Sequence, residues 1–389
     1  MHIHPLITDT ETLKALCDRL STADFVAVDT EFMRENTYWP ELCLVQIADD
    51  KEAAAIDPMA KGIDLTPLLD LLVDNEDVLK VVHAGGQDLE IVFNLTGKTP
   101  HPMFDTQIAA MALGMGEQVG YSNLVESMTG VKLDKGARFT DWSRRPLDKR
   151  QIDYAIGDVT YLSQIFPKML NKLRKTNRGE WLDGEMERIA DPANYVNAPE
   201  DAWLRIRPPS RKPEVLGRLK AIAAWREQEA RSKNLPRGRL VKDETLADIA
   251  SHPPRQQSDL AKVRGLAASW AGNDIGGRLM AAIEGAKPLT DEEMPAREDR
   301  KPGLTKDGAL VADLLKLLLK VRSKEADVAP RLVARADDLE ALAAGSRKLP
   351  LLEGWRYDLF GKDALALVEG RLAFTVRNGK MVMSAVEAA

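Results

Sequence analysis

Asp29 and Glu31 close the run "FVAVDTEF", in which Phe25, Val26, Ala27 and Val28 have the composition of a strand buried in a sheet. Side chains alternate faces along a strand, so the two acids point the same way. Adjacent carboxylates repel unless one is protonated or a cation lies between them. By itself the pair also fits a strand end whose acids reach solvent. In "VLKVVHAGGQDLEIVF" a strand ends at His83, a glycine pair turns the chain, and Asp88 enters a helix. Alone, Asp88 reads as favourable charge in a first helical turn. In "QIDYAIGDVTYL", Tyr154 and Asp158 lie four apart on one helix face. Their neighbours Ile152, Ala155, Ile156, Val159 and Leu162 are core-like, so an acid there needs a partner, whereas Asp153 points to solvent.

Two acids from one strand and one from each of two helices suit a pair of hard divalent cations, Mg2+ or Mn2+, which take oxygen ligands. Two such ions roughly 4 Å apart stabilise the attacking and leaving oxygens of a phosphoryl displacement. Tyrosine has an ordinary pKa of about 10, so Tyr154 stays protonated and can orient a water through its hydroxyl.

The elements that must position these residues follow from the alternation of the first 200 residues. "FVAVDTEF", "LCLVQIAD" and "VLKVVHA" read as strands, and "DLTPLLDLLV", "GQDLEIVFNL" and "TQIAAMALG" as helices, which predicts an α/β layer fold. A proline-punctuated linker follows at 191–214, and strand signals then vanish. A second charged linker precedes another helical segment from Thr305, and the similar size of the two segments suggests a diverged duplication.

Five stretches, "FVAVDTEFMRENTYWPELCLVQIA", "HAGGQDLEIVF", "FDTQIAAMALG", "LDKGARFTDWSRRPL" and "YAIGDVTYL", together resemble ribonuclease D, of the DEDD exonucleases. The resemblance implies an α/β ribonuclease-H-like exonuclease domain. It also implies that Asp29, Glu31, Asp88 and Asp158 are metal ligands and that Tyr154 marks the tyrosine subclass. "WREQEARSKNLPRGRLVKDETLADIASHPP" and the segment after it resemble the HRDC domain, a small helical module. The expected architecture is thus an exonuclease domain over 1–204, an HRDC domain over 205–289 and a second, degenerate all-α HRDC-like domain over 305–389. The ending "RLAFTVRNGKMVM" looks more strand-like than such a domain implies. The expected activity is 3′→5′ trimming of tRNA precursors and other small structured RNAs, with 5′-mononucleotides released and two divalent cations bound. The alternatives are a DNA exonuclease on the same fold and a nucleic-acid-binding scaffold with an inactive nuclease domain.

Substrate contacts are less sharply marked. Phe32 and Met33 follow the first acids and could pack on the terminal nucleotide or in the core. His83 could contact substrate or make a structural hydrogen bond. Arg145, with Arg144 and Lys135, could meet phosphates or sit in a solvated loop. Asp105 is expected to cap a helix, and Gln46 to be a structural hydrogen-bonder.

Residues 205–239 hold eleven Lys or Arg against three Asp or Glu, an expected phosphate footprint in a chain of formal charge -6. Two cysteines, Cys17 and Cys43, are too few for a disulfide framework or zinc cage. No GxxxxGK[ST] loop occurs, so no nucleotide cofactor is expected. The first twenty residues have no uninterrupted apolar run and no stretch is long enough to span a membrane, so a cytoplasmic location is expected.

Overall fold

The computed structural model describes residues 1–134, 136–295 and 305–386; Lys135 lies outside them. Six strands, β1 His2–Ile3, β2 Phe25–Met33, β3 Glu41–Ala48, β4 Glu52–Ile56, β5 Leu79–Val82 and β6 Met103–Asp105, form one sheet in the order β1-β4-β3-β2-β5-β6. Strands β2, β3 and β4 are antiparallel neighbours, whereas β5 and β6 run parallel to β2. This is the α/β layering that the alternating sequence predicts.

Strand β2 is central, and its alternation divides the core. Val26 and Val28 pack with Leu13 and Leu16 of α1 Thr10–Leu20, Leu68 of α2 Thr66–Val73 and Leu89 of α3 Gly86–Thr96. Phe25 and Ala27 face the opposite layer, made by α4 Thr106–Ala112, α5 Tyr121–Thr129 and the 27-residue α6 Lys149–Lys175. There Val159, Leu162, Ile165 and Phe166 bury one stripe of α6 against the sheet. Asp148 starts α6 by accepting from Gln151 N–H, while the Gln151 side chain accepts from Asp148 N–H, a reciprocal cap. The same layer continues through α7 Asp183–Ala190.

The second unit contains α8 Pro213–Ser232, α9 Arg237–Leu240, α10 Asp243–Ser251 and α11 Asp274–Glu284. Ala202 and Trp203 are buried in its core with Leu216, Leu219 and Trp225, so that core reaches back ahead of position 205. The third unit opens with α12 Lys306–Glu325, followed by α13 Pro330–Val333 and α14 Ala336–Ala343. A short turn α15 Gly354–Arg356 then runs through a π-helical turn into α16 Lys362–Val368. Helices α8 and α12 are each 20 residues and α9 and α13 each 4. Asn234 and Asp327, each two residues past the long helix, are both left-handed, with φ of 46° and 50° respectively. The third unit is not all-α, however. It ends in an antiparallel hairpin, β7 Leu372–Arg377 and β8 Lys380–Ala385, turned at Asn378-Gly379.

Both helical units dock on the nuclease domain. The loop after β2 reaches the second unit, where Asn234 Oδ1 accepts from the Tyr38 and Trp39 N–H groups at 3.0 and 3.1 Å. Glu227, its side chain 1% exposed, accepts from Tyr38 and from Arg237 through both carboxylate oxygens, at 2.6 and 2.7 Å for the arginine. Burial would raise the Glu227 carboxyl, but these donors hold it below the ordinary range. Trp181 and Trp355 stack across the other interface, 4.2 Å between ring centroids, with Arg178 and Arg356 over the outer rings. Arg178 also donates to Ala112 O at 2.6 Å and Asp327 O at 2.9 Å, tying α4 to the turn after α12.

These contacts change the reading of the basic stretch. Among its eleven cations, only Arg207 and Lys212 lack a hydrogen-bond or ion-pair partner among the described residues. The expected phosphate footprint is therefore largely committed to internal bonds. Replacing Glu227 with Ala leaves Arg237, Arg231 and Tyr38 without their anion. Removing one partner of a buried pair costs about 3 kcal/mol or more, so urea unfolding of Glu227→Ala should show a loss of that size. A loss below about 0.5 kcal/mol would be the behaviour of an exposed pair and would reject this role.

Candidate active site

Strand β2 carries Asp29 and Glu31 towards α6, on the face that Phe25 and Ala27 occupy lower down. A register shift between Glu31 and Phe32 ends the regular pairing with β3 immediately beyond the second acid. Asp158 comes from α6, and ligand oxygens of Asp29, Glu31 and Asp158 lie within 4.8 Å of one another. Asp88, the third residue of α3, stands outside that trio but close enough for its charge to act on Asp29 and Glu31. Thr30, between the two strand acids, donates its hydroxyl to Asp88. The four acids predicted from sequence are thus brought to one place, three tightly and one through Thr30.

The turn that launches α3 depends on backbone shape. Ala84 has φ of 54°, and a Cβ on Gly85 would stand 2.6 Å from Val82 Cγ2, so glycine is required there. Asp105 fastens this turn, accepting from Ala84 and Gly85 N–H at 3.0 Å each. It also caps α4 through Gln107 N–H at 2.8 Å. The predicted cap therefore has a second duty, holding the approach of Asp88.

Burial and mutual repulsion push these carboxyls up. Burial raises Asp29 well above its ordinary range, and the charges of Asp158, Asp88 and Glu31 add to it. Glu31 is pushed up to about 8 by burial and by Asp158 and Asp88. Burial takes Asp158 to about 7 against the hydrogen bond from Tyr154, and Asp88 to about 6 against that from Thr30. The Tyr154 hydroxyl is raised by burial and by Asp158, so it is protonated and donates to Asp158. Tyr121, which the sequence did not mark, donates to the Asp158 backbone carbonyl and to Gly157 O at 3.2 Å. Arg138 was missed too; its charge acts on Glu31, Asp158 and Tyr154. The only hint in the sequence was a basic residue in a loop that holds several.

Divalent cations fit this donor set, because oxygen ligands are clustered with too little positive charge to balance them. Gln46 makes the same point. It lies opposite Asp29 in the β2–β3 register, is 0% exposed, and has no hydrogen-bond partner for either amide atom among the described residues. It is not the structural hydrogen-bonder expected. Buried unpaired polar atoms cost about 1–3 kcal/mol each, and magnesium, which keeps several of its waters when bound, would bring a partner for them.

Two of the weaker substrate candidates are corrected. Arg145 donates to both Asp57 oxygens at 2.8 and 2.7 Å and to the Cys43 and Trp142 carbonyls at 2.7 Å, so its fork is spent holding the loop before α6 to β3 and β4. His83 has both ring nitrogens engaged, Nε2 with Val119 O and Nδ1 with Thr106 Oγ1, each at 3.0 Å. Since a carbonyl only accepts, the ring proton belongs on Nε2, and burial keeps the imidazole pKa low. Met33 packs against the apolar cluster that contains Cys43, Leu44 and Trp142. Phe32 is half-buried and joins none of the hydrophobic cores, which leaves it available to substrate. Arg144 is exposed, and Asp153 pairs with Lys149 at the surface, as expected.

The raised carboxyls carry a stability consequence. Their folded pKa values exceed the unfolded ones, so their contribution is fully present below about pH 4 and is lost as pH rises through the folded values of 6 to 8. In EDTA the unfolding midpoint should therefore fall between about pH 5 and pH 8. Asp29→Asn, with one repelling charge gone, should raise the midpoint at the upper pH. A mutant less stable than wild type there would mean that the acids are already neutralised within the protein.

Residues 5–174 match the family described as 3′-5′ exonuclease, and residues 215–283 match the HRDC domain. Ribonuclease D of Sphingobium indicum is 72% identical over 385 residues, 99% of this chain and 99% of that protein. Ribonuclease D of Zymomonas mobilis is 68% identical over 388 residues, 100% of both chains. The crystal structure of Escherichia coli RNase D, described as an exoribonuclease involved in structured RNA processing, matches with a TM-score of 0.76 at 30% identity. That match covers 94% of this chain and 99% of that one. With an α/β nuclease sheet, acids gathered between β2, α3 and α6, and relatives alike from end to end, the chain belongs to the ribonuclease D family of 3′→5′ exoribonucleases.

Proposed function

We propose that the chain trims the 3′ ends of tRNA precursors and other small structured RNAs, one 5′-mononucleotide at a time, with two Mg2+ or Mn2+ ions held by Asp29, Glu31, Asp88 and Asp158. The observation that carries this reading is the convergence of three half-buried carboxylates within 4.8 Å, with a fourth acid beside them. When bound, such cations would stabilise the attacking and leaving oxygens of the phosphodiester. The chain's own residues have separate duties. Thr30 and Tyr154 hold Asp88 and Asp158 in place by donated hydrogen bonds, and Tyr154, kept protonated, is placed to orient the attacking water. Phe32 offers an apolar face beside the acids to the terminal nucleotide.

A tRNA-like substrate is supported by the involvement of the Escherichia coli relative in structured RNA processing. We further divide the chain into a nuclease domain ending near Ala198, an HRDC domain from Pro199, and a diverged second HRDC copy from Thr305. The matched helix lengths, and the left-handed residue at the same offset in each helical unit, support that copy. The location we infer is the cytoplasm; no helix among the described residues is long and apolar enough to cross a membrane.

The direct test incubates the protein with tRNA precursors labelled at the 3′ or the 5′ end, with Mg2+, with Mn2+ or with EDTA, beside DNA of the same sequence. Early release of 3′ label as mononucleotide, dependent on the cation, is expected. Asp29→Asn and Asp88→Asn should each remove nearly all turnover while the protein stays folded. Tyr154→Phe should lower kcat about a hundredfold with little change in RNA affinity. Wild-type turnover in either Asp variant would break the metal assignment, and wild-type turnover in Tyr154→Phe would make the tyrosine a packing residue.

A further inference from the structure

The loop between α5 and α6 contains a tight turn whose tip is unusual. Thr140 N–H and Thr140 Oγ1 both donate to Ala137 O, at 3.1 and 2.8 Å, and Gln151 of α6 donates to Thr140 Oγ1 at 3.1 Å. Ala137 and Trp142 are buried on either side. The turn is therefore anchored, and its two central residues are Arg138 and Phe139. Phe139 is 90% exposed, the most exposed large apolar side chain among the described residues. The Arg138 guanidinium lies 5.3 Å from the centre of the Phe139 ring and has no hydrogen-bond or ion-pair partner among the described residues. Its charge is felt at Glu31, Asp158 and Tyr154, so the pair stands at the rim of the acid cluster.

Beside the turn is room for a ligand. Ala137 lines a cavity of about 290 Å³ together with Tyr154, Gly157, Asp158 and Tyr161 of α6 and Lys132 of the loop. Gly157 sits in the interior of a 27-residue helix, where glycine is less favourable than alanine, yet a Cβ there would meet nothing within 4 Å. Packing against the protein does not require that glycine. A lone exposed phenylalanine would need no explanation. An anchored phenylalanine, paired with an uncommitted arginine and set beside acids and an open cavity, has the parts of a single-strand binding site. Bases stack on aromatic rings without regard to sequence, and a guanidinium can lie on a ring while pairing with phosphate.

We propose that Phe139 stacks on a base within three nucleotides of the RNA 3′ end and that Arg138 neutralises a backbone phosphate beside it. The proposal rests on the acids being the catalytic centre, and binding measured in EDTA reads it without turnover, so either assignment can fail alone. Fluorescence anisotropy of 5′-labelled single-stranded RNA should show about tenfold weaker binding for Phe139→Ala, near-wild-type binding for Phe139→Trp, and unchanged thermal stability for both. Arg138→Ala should lower the slope of log affinity against log salt by about one. Oligonucleotides with a single abasic site at the first, second or third position from the 3′ end then locate the contact: at one of them the penalty of Phe139→Ala should vanish. With Mg2+ present, Phe139→Ala should raise KM and leave kcat nearly unchanged. Undiminished affinity in Phe139→Ala, or a penalty that persists at all three abasic positions, overturns the stacking assignment. An unchanged salt slope in Arg138→Ala overturns the phosphate assignment.

Discussion

Four carboxylates that repel one another have to be held within one small volume, and much of the nuclease domain can be read as the framework that holds them. No single element could do so. Strand β2 contributes two acids on one face, but their partners come from the start of α3 and the middle of α6, more than 50 residues away in sequence. The apolar stripe of α6, with Val159, Leu162, Ile165 and Phe166 packed on Phe25, Ala27 and Phe104, supplies the opposing free energy. Each of these buried side chains contributes about 1.5–3 kcal/mol. That stripe continues directly into Asp158, so the register of the packed face fixes the position of the acid.

The helical units act on the same framework from outside. Arg178, at the foot of α6, reaches the end of α4 and the turn after α12 at once. The Trp181–Trp355 stack covers this junction, and the buried core of the first domain runs on into Leu315, Leu318 and Leu332 of the third unit. The second unit grips the loop that leaves β2 beyond Glu31, through Asn234 and the Glu227 cluster. The ends of both acid-bearing elements β2 and α6 are therefore tied to the C-terminal half of the chain. That half is an architectural part of the nuclease.

How much of this was legible in the sequence depended on the range of the interaction. Asp29, Glu31 and Asp88 each had an ordinary reading in its local context, and it was the order and contexts of all four acids and Tyr154, together with the family resemblance, that marked Asp29, Glu31, Asp88, Tyr154 and Asp158 as a site. The sheet layering followed from periodicity, and the Asp105 cap from one residue at a helix start. What escaped was tertiary pairing. Arg145 looked like a phosphate ligand because nothing near it in sequence reveals Asp57, 88 residues away, as its partner. The basic stretch looked like a footprint because, apart from Glu227 and Glu229, the groups that occupy its members lie in other segments. Gln46 and Arg138 were misread or missed for the opposite reason: their positions matter for what they face, and neither side chain has a hydrogen-bond partner among the described residues that a pattern could encode. The closing hairpin was legible as strand-like only because Asn378-Gly379 sits between two apolar runs.

The balance of charge at the site sets an order on binding. Arg138 is a cation whose charge acts on Glu31, Asp158 and Tyr154, against four acids. Fully ionised and without cations, that cluster is strongly negative, and a phosphodiester brought to it would meet repulsion in a half-buried place where screening by solvent is weak. Protonation relieves the repulsion at low pH but removes the ligand oxygens that cations need. Two divalent ions reverse the sign: four acid charges are offset, and the arginine is left over for phosphate. The protein's fixed charges thus favour RNA less before the cations bind than after. Cation and substrate must then enter cooperatively, each lowering the cost of the other, and the loop that carries Arg138 and Phe139 is where the RNA would first be received.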